Sequence, residues 1–162
     1  MSTGPYCPEA RALTRARWQD EWDAAEDGKW TKRLVPNLEN WLLRKHGDVD
    51  YYISQFLSGH GCFKRYLSLR GIFRDSACPF CSLEDSAEHT FFECGAFQKE
   101  RISLYGCLGM LTPENIVAKM LESAENWNLV AGFCREVLKG KDRAINPPVE
   151  LPHGRTRLPQ TV

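Results

Sequence analysis

Long apolar runs, strand-like alternation, internal repeats and net charge are all missing from this 162-residue sequence. No apolar stretch approaches the roughly 18 residues that a membrane-spanning helix needs. The opening "MSTGPYCPEARALTRARW" also lacks the apolar core of a secretory signal. These two absences lead to the expectation of an intracellular protein with no membrane partner. With 21 basic and 21 acidic residues in balance, no overall field gathers the chain onto nucleic acid, so any such contact must come from a local patch. Alternating apolar and polar residues are nearly absent, which argues against a sheet. The seven cysteines are odd in number and scattered; without secretory context they do not form a disulfide framework. Reduced thiols are therefore available to a metal.

What is present is helical. Hydrophobic residues make up 43% and charged residues 26%, ordinary for a chain that folds around a core. "PEARALTRARWQDEWDAAEDG" reads as a first helix, with Pro8 near its start, Trp18, Trp22 and Ala25 on one stripe and Gly28 as a stop. Its charge order, basic early and acidic late, opposes the helix dipole. Pro36 opens a second helix carrying Leu38, Trp41 and Leu42. Val49, Tyr52, Ile53, Phe56 and Leu57 give the third, with the clearest helical period in the chain. "CFKRYLSLRG" is a short fourth. "GAFQKERISLYG", then "TPENIVAKMLES" with Thr112 as cap and Pro113 at the first helical position, and "WNLVAGFCREVLKG" supply three more. Residues 141–162 hold four of the nine prolines without periodicity and are expected to be a disordered tail. The expected class is mainly α: a helical segment over 1–77, a Cys/His unit with its following helix over 78–106, C-terminal helices over 107–140, and the tail.

The chemistry concentrates in "CPFCSLEDSAEHTFFEC". Cys78 and Cys81 form a C-x2-C turn, followed after seven residues by His89 and after four more by Cys94. A C-x2-C loop converges two thiolates on one point, with sulfur about 2.3 Å from a tetrahedral ion. Asp85 with Glu88 matches a capping box, which starts a helix near residue 86, and Gly95 suits a left-handed exit. Five residues turn through about 500° on an α-helix. His89 and Cys94 therefore share a face only if the last turn unwinds, which Gly95 permits. Cys78, Cys81, His89 and Cys94 then close around structural Zn²⁺ with no position left for substrate. A thioredoxin-like redox pair is disfavoured, since it needs C-x-x-C at a helix start inside an α/β pattern. Chance core cysteines account for Cys107 and Cys134 more readily than for four ligands at this spacing.

The likeness extends beyond the ligands. From "WQDEWDAAEDGKWTKRLV" through "QFLSGHGCFKRYL" to the cluster and "GAFQKER", residues 17–101 resemble, in order, the region C-terminal to the polymerase domain in insect-type non-LTR (LINE-like) retrotransposon polyproteins, including those inserting into ribosomal RNA genes. That family has a W-x3-W helix, a "GKWT"-like turn and a C-x2-C-x7-H-x4-C cluster. The resemblance implies a helical, zinc-stabilised end of an RNA-directed DNA polymerase that takes part in target-primed reverse transcription. Its partners would be the polymerase domain of the same polyprotein and element RNA or target DNA. Its place would be the nucleus or a cytoplasmic ribonucleoprotein. The polymerase's Ala-Asp-Asp signature for Mg²⁺ is absent, and "DVDYY" is no substitute. No catalytic residue is assigned, and the chain itself is expected to be catalytically silent.

For binding single-stranded nucleic acid, the candidates are Phe80 as a stacking ring and Lys64, Arg65, Arg70, Arg74, Lys99 and Arg101 as phosphate contacts. Lys64 to Arg74 place four cations in eleven residues with no acid among them. The plain alternative is a solvated helix face. Phe91 and Phe92, adjacent on a helix, are read mainly as packing behind the metal. A Cys62/His60 catalytic pair is rejected because near neighbours rarely reach nucleophile–base geometry; His60 is read as a capping or hydrogen-bonding residue between glycines, or as an incidental one. The five tryptophans are assigned to packing. A second functional class remains open, a scaffold module docking on the polymerase through Trp18 and Trp22, as does a domesticated remnant of an element.

Overall fold

Asp50 starts the most strongly patterned helix by accepting hydrogen bonds from the backbone N–H groups of Tyr52 (2.9 Å) and Ile53 (2.8 Å), which otherwise have no partner in a first turn. The helix ends at Gly59, whose φ of 68° lies in the left-handed region. This pair of signals bounds α4 (Tyr51–Ser58), which buries Ile53, Phe56 and Leu57. Val49 lies before the cap and is exposed.

The computed structural model describes residues 7–148, and among these the chain is helical with no strand; the only pairing of that kind is an isolated bridge between Ala77 and Glu84. The elements before α4 are α1 (Pro8–Ala24), α2 (Lys29–Leu34) and α3 (Leu38–Leu42). After it come α5 (Lys64–Leu69), a π-helical turn (His89–Glu93), a 3-10 turn (Gly95–Phe97), α6 (Gln98–Leu108), α7 (Ile116–Glu122) and α8 (Ala124–Ile145). The mainly helical class is as expected. "KWTKRL" forms a helix of its own rather than a connector, and α7 begins three residues after Pro113, with Asn115 at its cap.

The spine is α8, against which α4, α6 and α7 pack. It starts where the Ser123 hydroxyl accepts from Asn126 N–H (3.0 Å) and buries Trp127, Val130, Phe133, Cys134, Val137 and Leu138 along one stripe, the 3.6-residue period of a core helix. It does not stop at residue 140: residues 141–145 continue the helix, and Lys141 is fully buried. The tail expected from residue 141 is corrected to that extent, and its part from residue 149 onward lies outside the described residues.

Aromatic rings fill the centre. Phe91 meets Phe56 edge-on at 4.9 Å and Phe63 at 5.9 Å, and Phe133 lies 6.1 Å away. Phe92 is half-buried against Trp30, so both rings of the Phe91–Phe92 pair contribute to packing. The tryptophans divide. Trp127 is buried, Trp22, Trp30 and Trp41 are half-buried, and Trp18 is half exposed, which removes Trp18 from the packing role assigned to it. Helix α1 buries no residue. It is held to α3 and the preceding turn by Arg15–Glu39 (2.9 Å) and by the Trp22 indole N–H on the Val35 carbonyl (2.9 Å).

Candidate metal centre

The first two candidate ligands come from a tight reversal. The Cys78 amide donates to the Leu83 carbonyl (2.7 Å) and the Ser82 amide to the Cys78 carbonyl (3.0 Å). Ser82 has φ 66°, the one non-glycine described residue in the left-handed region. This turn brings the Cys78 and Cys81 side chains to one side, as the C-x2-C spacing requires.

The other two come from a helix that begins differently from the sequence expectation. Ser86, not Asp85, is the cap: its hydroxyl accepts from the His89 amide (3.0 Å). Glu88 pairs with Arg33 (2.8 Å) instead of reaching back to the cap. The turn from His89 to Glu93 is π-helical, closed by the Cys94 amide donating to the His89 carbonyl at 2.7 Å. An i to i+5 hydrogen bond widens the turn, so residues five apart return to the same side without unwinding. Gly95 takes no left-handed conformation and opens the 3-10 turn. The expected unwinding at Gly95 is replaced by this wider turn.

The four donor atoms lie within 4.8 Å of one another. Thiolates about 2.3 Å from a tetrahedral centre stand roughly 3.8 Å apart, and Cys78 Sγ and Cys94 Sγ are 3.8 Å apart. His89 presents Nε2 to the cluster, 3.1 Å from Cys81 Sγ. Its Nδ1 is buried, 3.4 Å from a Glu93 carboxylate oxygen but without hydrogen-bond geometry, an arrangement that fits a ligating imidazole oriented by an outer carboxylate. Cys78, His89 and Cys94 are buried and Cys81 is exposed. Burial pushes the Cys94 thiol up to about 11, the neighbouring Cys78 and Cys81 add to the rise, and the Ala96 backbone hydrogen bond opposes it. A bound cation reverses that balance, because it favours the thiolate. The group fits a metal ion, and four protein donors leave no open position for substrate. The C-x-x-C is not at a helix start, and no sheet flanks it among the described residues, so the redox reading has no structural basis.

Two residues that hold this unit were not read correctly from sequence. Arg101, assigned to phosphate, is buried, and its guanidinium donates to the Cys94 carbonyl at 2.6 Å. It braces the ligand turn and is removed from the surface set. Asp85 is fully buried and accepts from the Lys64 amide (2.8 Å), the Thr90 hydroxyl (3.2 Å) and the Lys141 ammonium. That carboxylate ties α5, the helical turn that carries His89 and α8 together. The capping-box pattern marked Asp85 as polar and important but named the wrong partners.

Comparison with known proteins places this frame. A Retrovirus-related Pol polyprotein from type-1 retrotransposable element R1 4 of Nasonia vitripennis is 27% identical over 140 residues, 85% of this chain and 36% of the relative. The relatives that this chain resembles are R1 non-LTR retrotransposon Pol polyproteins. The R1 2 polyprotein of the same organism is 23% identical over 84 residues, covering 52% of this chain and 20% of the relative. The R1 polyprotein of Bradysia coprophila is 26% identical over 90 residues, covering 56% and 9%. The chain thus spans about a third or less of the curated relatives it matches. No family model and no solved structure matches it. Because the R1 4 match covers 85% of the chain, the likeness involves more than the 17-residue cluster.

On this R1-like frame the other surface candidates scatter. Arg65, Arg70 and Arg74 are exposed on and just after α5. Arg65 lies 3.5 Å from Glu84. Lys64 is mostly covered, paired with Asp75 at 2.6 Å and set over the Phe73 ring. Phe80 is 44% exposed and leans edge-on against Phe97 at 5.3 Å. Lys99 lines a separate cleft between α6 and α8 beside Cys107 and Phe133.

Proposed function

We propose that the chain is a zinc-stabilised nucleic-acid-binding module of a non-LTR retrotransposon Pol polyprotein, engaging element RNA or target DNA during target-primed reverse transcription. The reading is carried by one conjunction: a chain homologous to R1 Pol polyproteins folds so that Cys78, Cys81, His89 and Cys94 converge. Zn²⁺ would supply the crosslink, since three thiolates and an imidazole are a structural zinc set. The protein's own part is to present exposed Arg65, Arg70, Arg74 and Phe80 on its surface. The cations hold phosphates and the ring stacks a base. The chain acts by binding and leaves polymerisation to the rest of the polyprotein, in the nucleus or a cytoplasmic ribonucleoprotein.

The test is fluorescence anisotropy of the zinc-loaded chain with single-stranded RNA and DNA across a salt series. Binding that weakens steeply with salt supports the reading; no salt-sensitive binding rejects it. One observation favours a second reading, docking on the polymerase: α1 buries none of its residues and leaves Trp18 half exposed and Leu13 72% exposed. In that case Trp18→Ala weakens association with the polymerase portion while nucleic-acid affinity stays unchanged.

A further inference from the structure

A cleft of about 410 Å³ opens between α2, the end of α4, α5 and the start of the metal-ligating helix, within the size range of small-ligand sites. It lies apart from the four donor atoms, and Phe80 does not line it. His60 and Tyr66 stand in it as a parallel stack, ring centroids 4.5 Å apart and planes 20° apart. The rings around Phe91 instead meet edge-on or tilted. His60 is exposed, so the stack places an accessible aromatic ring in the cleft.

The "SGHG" loop is built to hold that face. Ser58 Oγ accepts from the His60 amide at 3.1 Å. Gly61 has φ 135°, and a Cβ there would lie 1.9 Å from the Gln55 side-chain oxygen, which accepts from the Cys62 amide (3.1 Å). No larger residue fits Gly61 without displacing buried Gln55. The cleft's charges then separate. Arg33 is committed to Glu88 and Glu114 at 2.8 and 2.7 Å, which also neutralises the Glu88 carboxylate in the wall. Lys29 is exposed with no ion-pair partner among the described residues, and Arg65 is held only loosely by Glu84 at 3.5 Å. A flat ring face flanked by two available cations is complementary to a base carrying its phosphates.

We propose that this cleft seats one unstacked nucleotide of a single-stranded RNA or DNA, its base stacked on His60 over Tyr66 and its phosphates held by Lys29 and Arg65. The inference rests on the nucleic-acid-binding reading above and adds to it a base-stacking site distinct from Phe80.

The experiment uses the full zinc-loaded chain and a fluorescein-labelled single strand of about 15 nucleotides, within the span one small binding module occupies. Anisotropy is measured over a salt series, with a matched abasic strand as a second ligand. His60→Ala is expected to weaken binding of the base-containing strand about five-fold or more, with the salt slope unchanged because Lys29 and Arg65 still hold the phosphates. His60→Phe, which keeps a ring, retains binding. On the abasic strand, wild type and His60→Ala bind alike. Lys29→Gln with Arg65→Gln lowers the slope of log affinity against log salt by about 1.4. If wild type binds with salt sensitivity but His60→Ala matches it on the base-containing strand, the cleft assignment is overturned and the broader function stands; a protein-contact cleft gives that result. If wild type shows no salt-sensitive binding, both fall.

Discussion

The ammonium of Lys141 is sealed against the carboxylate of Asp85, both without solvent exposure, with the Thr90 hydroxyl 3.0 Å from the same ammonium. The pair joins the last turns of α8 to the residue just ahead of the helical turn that carries His89, so the C-terminal helix and the candidate metal unit are one mechanical body. A buried carboxylate left without its cation is costly. Lys141→Met is therefore expected to lower stability by about 3–5 kcal/mol, read as a fall in the urea midpoint of the zinc-loaded chain. Exposed Lys139→Met, two residues away, is expected to change it by less than about 0.5 kcal/mol.

Native mass spectrometry of the wild-type chain is expected to show one Zn²⁺ per molecule. Cys94→Ser and His89→Ala should lose it, and Cys62→Ser should keep it, since Cys62 is not among the four donors. Metal binding of this class supplies ~10 kcal/mol of folding free energy, so chelation should abolish cooperative unfolding of the segment around residues 78–97. A metal-free chain with an unchanged thermal transition would remove zinc from the account.

Arg70 and Arg74 are exposed while Arg101 is buried on the Cys94 carbonyl, so equal changes of charge have unequal effects. Arg70→Gln with Arg74→Gln should lower the salt slope of single-strand binding by about 1.4 and leave the fold intact. Arg101→Gln should cost about 1.5–3 kcal/mol of stability, through loss of a charged hydrogen bond. Thermal melts and anisotropy on the same samples separate the two.

Gly47 has φ 86°, and a Cβ on it would lie 2.2 Å from the Trp127 ring, which is itself wedged against Trp41 and His46. Gly47→Ala combines backbone strain with overpacking and is expected to cost about 2 kcal/mol or more. Gly71, at φ 72°, has open space where its Cβ would be, so Gly71→Ala should cost only about 1–2 kcal/mol. Urea unfolding followed by tryptophan emission measures both.

The Arg33 side chain, by hydrogen bonding, holds the Glu114 carboxyl below its ordinary value of 4.5. A depressed folded-state value means the contribution is fully present above pH 4.5 and is lost as pH falls through the folded value. Arg33→Gln should therefore flatten the acid limb of a plot of melting temperature against pH below about 4.5. The effect is small because the pair is exposed.

Much of this could be read from residues in order. The period of Tyr52, Ile53, Phe56 and Leu57 gave α4, because each element's apolar stripe repeats within the element itself. Cys78, Cys81, His89 and Cys94 stood out because ligand spacing is a local property of the chain. The route by which His89 and Cys94 meet was not legible: α, π and unwound turns all begin from the same five residues, and packing of Phe91 against Phe56, Phe63 and Phe133 accompanies the wide turn. Nor was α2, a six-residue helix too short to carry a period.

The sequence by itself determined the helical class, the candidate metal-ligand set and the likeness to retrotransposon polyproteins, since composition, spacing and linear order need no third dimension. Only the tertiary structure decided which charges are surface and which are internal. It buried Arg101 and Lys141, which look like solvated cations when read along the chain, and left His60 stacked and exposed. The physical reason is that a charge enters a core only where a partner from a distant segment meets it, and the sequence separation of 56 between Asp85 and Lys141 hides that meeting from any local pattern.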